Sequence, residues 1–236
     1  MDRPLGHGVS DFEQVKEPRG LYLVGDWAEL RPLDVSADAS GLWAQMAGHD
    51  WLWDYLFEVA PQTEEEFTVI LETLATKSDK FAYVIRAEGD PAPLGYACFS
   101  TTVTEMGCNE IGNVNLSPAL QRTPIATEAF FLMNDWVFQN GYRRMEWKCN
   151  ALNRPSRQAA ERLGFSFEGV FRNHLVVKGR NRDTAWFAMT DADWPALRDA
   201  YRTWLSPENF DAEGQQRQSL SSLTRPLLYA TDPTLR

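Results

Sequence analysis

The sequence has few of the side chains from which metal sites and disulfide frameworks are built. It contains three cysteines and three histidines in 236 residues. Cys98, Cys108 and Cys149 show no metal-ligand spacing, and three thiols cannot all pair with one another, so we expect them to be reduced. His7 and His49 lie in irregular segments without neighbouring ligand residues. We therefore expect no metal site.

Long hydrophobic runs are also missing. No apolar stretch approaches the ~18 residues that a membrane-spanning helix needs, and no apolar segment follows Met1. These two absences disfavour membrane insertion and secretion, and together with reduced thiols they predict a cytoplasmic protein. A chain of 236 residues that is 44% hydrophobic can bury one sizeable core, so one domain is the simplest organisation.

Basic residues are scarce in the first half of the chain. Residues 1–120 carry a net charge of −13, residues 121–162 carry +3 and the remainder is neutral, within a total of −10. An acidic protein of this kind is a poor general binder of nucleic acid, so we expect no nucleic-acid partner. The basic segment 121–162 can receive a local polyanion, although ordinary solvated surface charge explains it equally well.

The order of the predicted elements indicates an α/β fold. Hydrophobic patterning predicts strands at 27–33, 81–87, 94–103, 110–116, 143–149, 167–179 and 184–190. It predicts helices at 38–47, 51–60, 63–79, 123–141, 153–165 and 194–205. Alternation of strands and helices between residues 110 and 177 is typical of βαβ connections. We expect three layers around a central mixed, partly parallel twisted sheet. The domain spans 26–205, between an N-terminal arm (1–25) and a polar C-terminal tail (206–236).

Residues 153–165, NRPSRQAAERLGF, carry signals for both ends of one helix. Asn153 is a good N-cap, and Pro155 suits the first turn, where its missing N–H has no cost. Gly164 stands where a left-handed C-terminal residue belongs, followed by Phe165 as its hydrophobic contact. Ser156 shares a face with small residues, so its hydroxyl points inward where a ligand can approach closely. A capped, tightly packed helix explains the same pattern without any ligand.

Residues 115–129, NLSPALQRTPIATEA, lead from a strand into the N-terminus of the helix 123–141. Unpaired amides and the helix dipole make such a junction favourable for phosphate. Arg122 lies at its entrance and Thr127 lies in the first turn. Many strand–helix junctions bind nothing, so this segment alone does not decide the function.

Together, QRTPIATEA and NRPSRQAAERLGFSFEG resemble the GNAT superfamily of acetyl-CoA-dependent N-acetyltransferases. Within it they are most similar to the Rim-type branch, which acetylates the N-termini of ribosomal proteins. The resemblance spans residues 27–195 and implies a GNAT-like fold with acetyl-CoA as acyl donor. It also implies that strand 110–116 splays from strand 144–150 and that the pantetheine arm of CoA lies in the gap.

The resemblance also implies roles for individual residues. Residues 121–126 match the loop whose amides cradle the pyrophosphate, and Asn153 matches the asparagine that bonds to pantetheine. Ser156 matches the serine that faces the thioester sulfur and helps the thiolate to leave. The complete set of implied cofactor-binding residues is Val114, Leu116, Gln121, Arg122, Thr123, Ile125, Ala126, Thr127, Asn153 and Arg157.

Three positions depart from the family pattern. Pro124 replaces a glycine that is usual in the loop, which removes one donor amide. Ala160 stands where many members place a tyrosine acid, so Ser156 or water must serve as the acid. Lys148 stands where some members place a glutamate base.

Glu110 and Glu146 are the remaining candidates for a catalytic base, and a salt-bridged or solvated carboxylate is the alternative interpretation of both. Without a strong base the acceptor amine must arrive largely neutral. An α-amine, with a pKa of about 7.7–8.0, meets this condition better than a lysine amine with a pKa of about 10.4.

Aromatic residues mark the region in which the resemblance places the acceptor pocket. Trp51, Trp53 and Tyr55 lie there, and they could contact an amine through cation–π interactions. His174, in the strand 167–179, is a further candidate substrate contact. Aromatic residues at this density more often form a core, and a histidine in a strand is more often structural, so both alternatives stay open.

The sequence therefore predicts an enzyme that transfers acetyl from acetyl-CoA to a primary amine by direct attack in a ternary complex. The acceptor is either a protein N-terminus or a small amine. Pro124, Ala160 and Lys148 motivate an alternative, a CoA-binding module without turnover. Release of CoA thiol in the presence of an amine separates the two.

Overall fold

The structure, a computed structural model, describes residues 5–235. The strands are β1 (Leu23–Val24), β2 (Ala28–Pro32), β3 (Lys80–Ala87), β4 (Pro93–Val103), β5 (Cys108–Leu116), β6 (Arg144–Asn150), β7 (Ser166–Val177) and β8 (Arg180–Thr190). The helices are α1 (Val35–Met46), α2 (Glu64–Ala75), α3 (Pro124–Gln139), α4 (Arg154–Arg162), α5 (Trp194–Leu205) and α6 (Leu220–Thr224). No helix between residues 5 and 235 combines the length and the apolar character needed to cross a membrane.

All eight strands form one mixed sheet in the order β1-β2-β3-β4-β5-β6-β8-β7. Neighbouring strands are antiparallel except β5 and β6, which are parallel. Helix α3 connects these two strands and crosses one face of the sheet, as a parallel pair requires. The predicted mixed, partly parallel sheet is confirmed.

Side chains alternate between the two faces of the sheet along β4. Tyr96 and Cys98 belong to a core that also contains residues of α1 and α2. Ala97 and Phe99 belong to the opposite core, with residues of α3, α4 and α5. Because successive side chains of a strand point to opposite faces, the helices cover the sheet on both sides. The predicted three-layer α/β fold is confirmed.

The predicted strands and helices are present with small shifts at their ends, except for the helix at 51–60. That segment is a short 3-10 helix, Asp50–Trp53, followed by turns. Trp53 is buried, whereas Trp51, Tyr55 and Phe57 are exposed, so the segment has no apolar stripe at helical spacing to bury. The helix prediction was wrong because it rested on the density of aromatic residues rather than on their period.

The N-terminal arm predicted for residues 1–25 reaches the sheet edge as β1, after turns and irregular structure over residues 5–22. Tyr83 and Tyr142 hold it by donating their hydroxyl protons to the carbonyls of Pro18 and Lys16 at 2.7 and 2.8 Å. Residues 1–4 of the arm lie outside the described residues.

The segment expected to be a polar C-terminal tail packs against the body of the protein over residues 206–235. Leu220 is fully buried in the core, and the Tyr229 amide donates to Ser166 Oγ at 2.8 Å. Asp232 is buried and forms an ion pair with Arg157. Its polar composition did not indicate this packing, because a few apolar residues, Phe210, Leu220 and Leu223, and a few paired polar groups hold the segment in place.

Candidate active site

The parallel strands β5 and β6 separate halfway along their length. They are paired from Cys108↔Arg144 to Ile111↔Trp147, and the register stops there although both strands continue. Beyond this point β5 pairs only with β4, and β6 pairs only with β8. One edge of residues 112–116 therefore faces a gap in the sheet with backbone groups that no neighbouring strand uses.

A β-bulge in β5 accompanies this separation. Between the pairs Cys98↔Gly112 and Tyr96↔Asn115, β5 has one more residue than β4. Asn113 lies in the bulge with a φ of 47°, in the left-handed region. A bulge bends its strand and increases the local twist, which accounts for the divergence of β5 from β6.

A cavity of about 300 Å³, here called the cleft cavity, occupies the gap between the two strands. Residues of β5, β6 and α4 line it, and so do chain segments that are distant in sequence. Its lining includes Tyr55, Lys80, Glu110, Gly112, Val114, Trp147, Lys148, Cys149, Asn153, Ser156, His174, Arg182 and Thr184.

A second cavity of about 480 Å³, here called the helix cavity, lies at the N-terminus of α3. Leu116, Thr123, Ala126, Thr127, Arg122 and Arg162 are among its lining residues, and Trp204 and residues 214–216 line it from the C-terminal side. Arg122 and Arg162 are cationic, and no carboxylate of residues 5–235 lines this cavity. Its electrostatics favour an anion although the whole chain is acidic.

The loop before α3 presents free amides to the helix cavity. Thr123 caps the helix, because its Oγ1 accepts from the Ala126 amide at 3.1 Å. In residues 5–235 no hydrogen bond uses the amides of Arg122, Thr123 or Ile125. Arg122 has a φ of 63°, and such a left-handed residue turns successive amides toward one point. Three amides and two arginines fit a pyrophosphate, even though Pro124 contributes no amide.

Helix α4 carries two of the predicted residues into the cleft cavity. Asn153 is its N-cap, with Oδ1 accepting from the Ser156 amide at 3.1 Å, so the Asn153 side-chain NH₂ remains available. Ser156 Oγ accepts from Trp147 Nε1 at 3.0 Å. This bond fixes the serine rotamer and leaves the hydroxyl proton available for another acceptor.

The C-terminus of α4 has the geometry predicted from its sequence. The Phe165 amide donates to the Ala160 carbonyl at 2.9 Å, and the Gly164 amide donates to the Glu161 carbonyl at 3.0 Å. These two bonds form a Schellman motif, with Gly164 at φ 93° as the left-handed residue. Phe165 is fully buried. The ends of the helix are thus determined locally.

Neither candidate base is a free carboxylate. Lys148 Nζ lies 3.0 Å from Glu110 Oε2 and 2.9 Å from Glu146 Oε2. Burial alone would raise the pKa of Glu146, but its hydrogen bonds to Arg144 and Lys148 outweigh burial and lower the pKa. Burial alone would lower the pKa of Lys148, but Glu110 and Glu146 outweigh it and raise the pKa. The alternative interpretation, a salt-bridged carboxylate, describes both glutamates, and only Glu110 lines the cleft cavity.

Cys149 lines the cleft cavity but is a poor nucleophile. It is 6% exposed, and burial raises the pKa of its thiol to about 11. At neutral pH the sulfur is protonated, and it is the thiolate that attacks acyl groups. The geometry therefore favours direct attack by the acceptor over an acyl-cysteine route.

The structure brings two of the four predicted acceptor residues to the cleft cavity. Tyr55 and His174 line it, and His174 Nδ1 shares a hydrogen bond with Thr184 Oγ1 at 3.0 Å. Trp53 is 2% exposed and belongs to the core beside α1 and α2. Trp51 is half exposed, packs edge-on against His49 and does not line the cleft cavity.

The side chains of three of the predicted cofactor residues lie away from both cavities. Gln121 Nε2 donates to the Leu116 carbonyl at 2.9 Å, and Ile125 packs against the core. Arg157 pairs with Asp232 and donates to the Ala151 carbonyl at 2.7 Å. It follows Ser156 on α4, but one residue turns a helix by about 100°, so the two side chains point in different directions.

Sequence reasoning missed Arg162 and Arg182. Arg162 donates to Thr127 Oγ1 at 3.1 Å and lies 5.1 Å from the centroid of the Trp204 ring, with no carboxylate partner in residues 5–235. Arg182 lines the cleft cavity. Arg162 could have been found from its helical spacing from Ala159, because the two residues lie on one face of α4. No local pattern in the sequence indicates Arg182.

Comparisons with known proteins agree with this geometry. The sequence model of the acetyltransferase (GNAT) domain matches residues 28–166. A GCN5-related N-acetyltransferase from Brucella melitensis is 39% identical over 92% of this chain and 99% of that chain, with a TM-score of 0.88. A probable GNAT-family acetyltransferase from Chromobacterium violaceum is 37% identical over 83% of this chain and 99% of that chain, with a TM-score of 0.79.

A more distant structure shares the fold. RimJ from Mycobacterium smegmatis, solved in complex with CoA-disulfide, is 21% identical over 75% of this chain and 88% of that chain, with a TM-score of 0.59. No curated protein matches the chain.

Proposed function

We propose that acetyl-CoA spans the two cavities of this chain, which belongs to the GNAT acetyltransferase family and is an acetyltransferase. An α-amine would receive the acetyl group in the cleft cavity. The observation that carries the proposal is the separation of β5 from β6 after Ile111 and Trp147. It leaves an unpaired strand edge, which offers backbone partners to the amides of a pantetheine arm. The RimJ structure with the same fold contains CoA-disulfide, which supports this donor.

The phosphate end of the donor would lie in the helix cavity. The free amides of Arg122, Thr123 and Ile125 would receive the pyrophosphate. Arg162 would add a charge-assisted contact, since no carboxylate between residues 5 and 235 pairs with it. Leu116 and Val114 connect this end to the cleft cavity along β5.

The reacting end would lie beside α4. Acetyl-CoA supplies a thioester, whose carbonyl carbon gains a bond to the amine nitrogen and loses its bond to sulfur. Ser156 can donate its hydroxyl proton to the departing sulfur, because the Trp147 indole already occupies the hydroxyl oxygen as a donor. The proton that the amine nitrogen loses on forming the amide would restore the serine hydroxyl, so the products are the amide and CoA thiol. The Asn153 side-chain NH₂ can hold the arm in place.

Within the described part of the chain no free carboxylate lines the cleft cavity, and this determines the type of amine. Lys148 neutralises Glu110, the carboxylate that lines this cavity. An amine with a pKa of about 10.4 is about three units from neutral form at pH 7.4, a penalty of roughly 4 kcal/mol, whereas an α-amine loses well under 1 kcal/mol. An α-amine acceptor, as in the Rim-type branch, therefore fits the site best.

We place this activity in the cytoplasm. Cys98, Cys108 and Cys149 are all unpaired, and Cys98 and Cys149 are buried. Free thiols suit a reducing compartment.

Amine-dependent release of CoA thiol tests the proposal. The purified protein is incubated with acetyl-CoA and a panel of N-terminal peptides, amino acids and lysine-like amines. We expect release with α-amines, a fall of about 10²-fold in kcat for Ser156→Ala, and parent activity for Gln158→Ala, an exposed position on the same helix. Binding of CoA without release by any amine contradicts the proposal and favours the CoA-binding module.

A further inference from the structure

Arg182 is buried in the cleft cavity without a partner. It is 8% exposed, and its Nε is fully buried with no hydrogen-bond acceptor. Across residues 5–235 its guanidinium forms neither a hydrogen bond nor an ion pair, and its neighbour is the ring of Phe57, whose centroid lies 4.9 Å away. Burial of a charge costs free energy unless the charge is paired with an opposite one, so the burial of Arg182 needs a physical reason.

Arg157 provides an internal comparison. Arg157 and Arg182 are the two arginines of the described chain that are at least nine-tenths buried. Arg157 pairs with the buried Asp232 and donates to the Ala151 carbonyl. A carboxylate pairs with the buried arginine that lies away from the two cavities, whereas no carboxylate between residues 5 and 235 pairs with the one that lines the cleft cavity.

The other cations of the cleft cavity already have partners. Lys80 Nζ donates to Asn113 Oδ1 at 2.6 Å, and Lys148 is held by Glu110 and Glu146. Glu110 is the carboxylate in the lining, and it also accepts from Thr101 Oγ1 at 2.7 Å. Among the described residues the lining thus carries three cations and one carboxylate, and Arg182 is the cation without a bonding partner there.

The donor does not satisfy this charge. In the proposed arrangement the phosphates of acetyl-CoA lie in the helix cavity, beside Arg122 and Arg162. The pantetheine arm and the acetyl group that enter the cleft cavity are uncharged. The anion that Arg182 requires must therefore arrive with the acceptor.

We propose that the acceptor amine also carries a carboxylate, and that Arg182 binds this carboxylate in the cleft cavity. The inference rests on the proposed function, because it assumes that the acceptor enters this cavity. The planar guanidinium fork matches a carboxylate through two parallel hydrogen bonds. The carboxylate is either the acceptor's own α-carboxylate or an acidic side chain next to a peptide N-terminus.

Matched amine pairs test the proposal by binding, without turnover. Calorimetry compares seryl-glycine with seryl-glycinamide, and seryl-aspartyl amide with seryl-asparaginyl amide, each titrated into protein saturated with CoA. We expect the carboxylate member of one pair to bind about 10- to 100-fold tighter. The first pair reports an α-carboxylate and the second reports an acidic side chain. Arg182→Met should abolish the preference, while Arg172→Met, at an exposed position on β7, should keep it.

Equal or absent binding of both members in both pairs overturns the proposal, and so does a preference that survives Arg182→Met. Failure of the proposed function looks different, because CoA thiol would then not be released with any amine while the binding preference could still be measured.

Thermal unfolding of the free protein separates a binding role from a structural one. Arg182→Met should leave Tm unchanged or raise it, because it removes an unpaired buried charge. Arg157→Met should lower Tm, because it leaves Asp232 without its partner. A fall in Tm for Arg182→Met as large as that for Arg157→Met would make Arg182 a structural residue and overturn the proposal.

Discussion

The helix cavity and the cleft cavity are built from different kinds of sequence. The helix cavity takes most of its lining from the segments 116–130 and 159–163, each of which is continuous along the chain. The cleft cavity combines such segments with residues 55–57, 80, 174–175 and 182–184. Local helix capping and loop geometry determine the helix cavity, whereas the pairing of strands that are distant in sequence determines the cleft cavity. The helix cavity, the proposed cofactor end, can thus be predicted in large part from sequence, whereas the cleft cavity, the proposed acceptor end, requires the fold.

Gly164→Ala should have the largest effect, because it breaks a local determinant of the cofactor end. An added Cβ would lie 2.5 Å from Leu197 Cδ2, at a φ of 93° that disfavours any side chain. We expect a loss of about 2–4 kcal/mol in the free energy of unfolding, from backbone strain and overpacking together. Chemical denaturation measures it.

Gly179→Ala is the matched control, in the turn between β7 and β8. Gly179 has a φ of 70°, and a Cβ added there would meet no described residue beyond its chain neighbours within 4 Å, so only the conformational part of the cost, about 1 kcal/mol, should remain. Equal losses for the two variants would show that packing against Leu197 does not hold α4 in place.

Arg162→Met should weaken CoA binding by about 10- to 100-fold, because it removes a charge-assisted contact worth about 1.5–3 kcal/mol. Calorimetric titration with CoA measures the change in Kd. Arg154→Met, at an exposed position in the first turn of the same helix, should leave Kd unchanged. Arg182→Met should also leave the Kd of CoA unchanged. A large loss of CoA affinity in this variant would contradict the assignment of the CoA phosphates and the acceptor to different cavities.

Lys148→Met should lower stability at neutral pH and make it less dependent on acid. The pKa of Glu146 is lowered in the folded state, so its contribution to stability is present above the ordinary pKa of about 4.3 and is lost as pH falls through the folded pKa. Without Lys148 the two glutamates repel each other, and we expect a cost of about 1–2 kcal/mol at pH 7 for these partly exposed groups.

Urea unfolding between pH 4 and 8 measures this effect. The midpoint for Lys148→Met should lie below that of the parent protein at pH 7, and the difference should shrink toward pH 4, because only the parent protein has the pairing of Glu146 with Lys148 to lose. The exposed Lys77→Met is the control. Parallel curves for parent and Lys148→Met would show that Lys148 does not hold Glu146 ionised.

Pro124→Ala should have the smallest effect, and it should strengthen CoA binding rather than weaken it. It restores an amide at the first position of α3, where a donor can reach an anion in the helix cavity. We expect CoA to bind tighter by about 0.5–1.5 kcal/mol, and the free energy of unfolding to fall by about 0.4–1 kcal/mol because the unfolded chain gains freedom. An unchanged Kd would place the pyrophosphate away from this amide.

Several features were predictable because neighbouring residues determine them. The caps of α4 at Asn153 and Gly164 follow from residue type, and the junction before α3 follows from a strand, a polar loop and Thr123 as N-cap. The fold class follows from the order and period of the elements.

Other features depend on contacts that the sequence does not reveal. Arg157 belongs to the matched motif, yet Asp232, 75 residues further on, takes up its guanidinium. Trp53 and Tyr55 have similar neighbours in the sequence. The turns after Trp53 leave Trp53 buried and place Tyr55 in the lining of the cleft cavity. Arg182 becomes notable only when the fold shows which carboxylates are near it.

Hydrogen exchange of the backbone amides, with and without CoA, tests the central claim most directly. The claim is that CoA lies in the gap between β5 and β6 with its pyrophosphate at the N-terminus of α3. It predicts that saturating CoA slows exchange in residues 112–116 and 121–127 and leaves β1 and α2 unchanged. Binding that protects other segments while these two exchange at their original rates would contradict it.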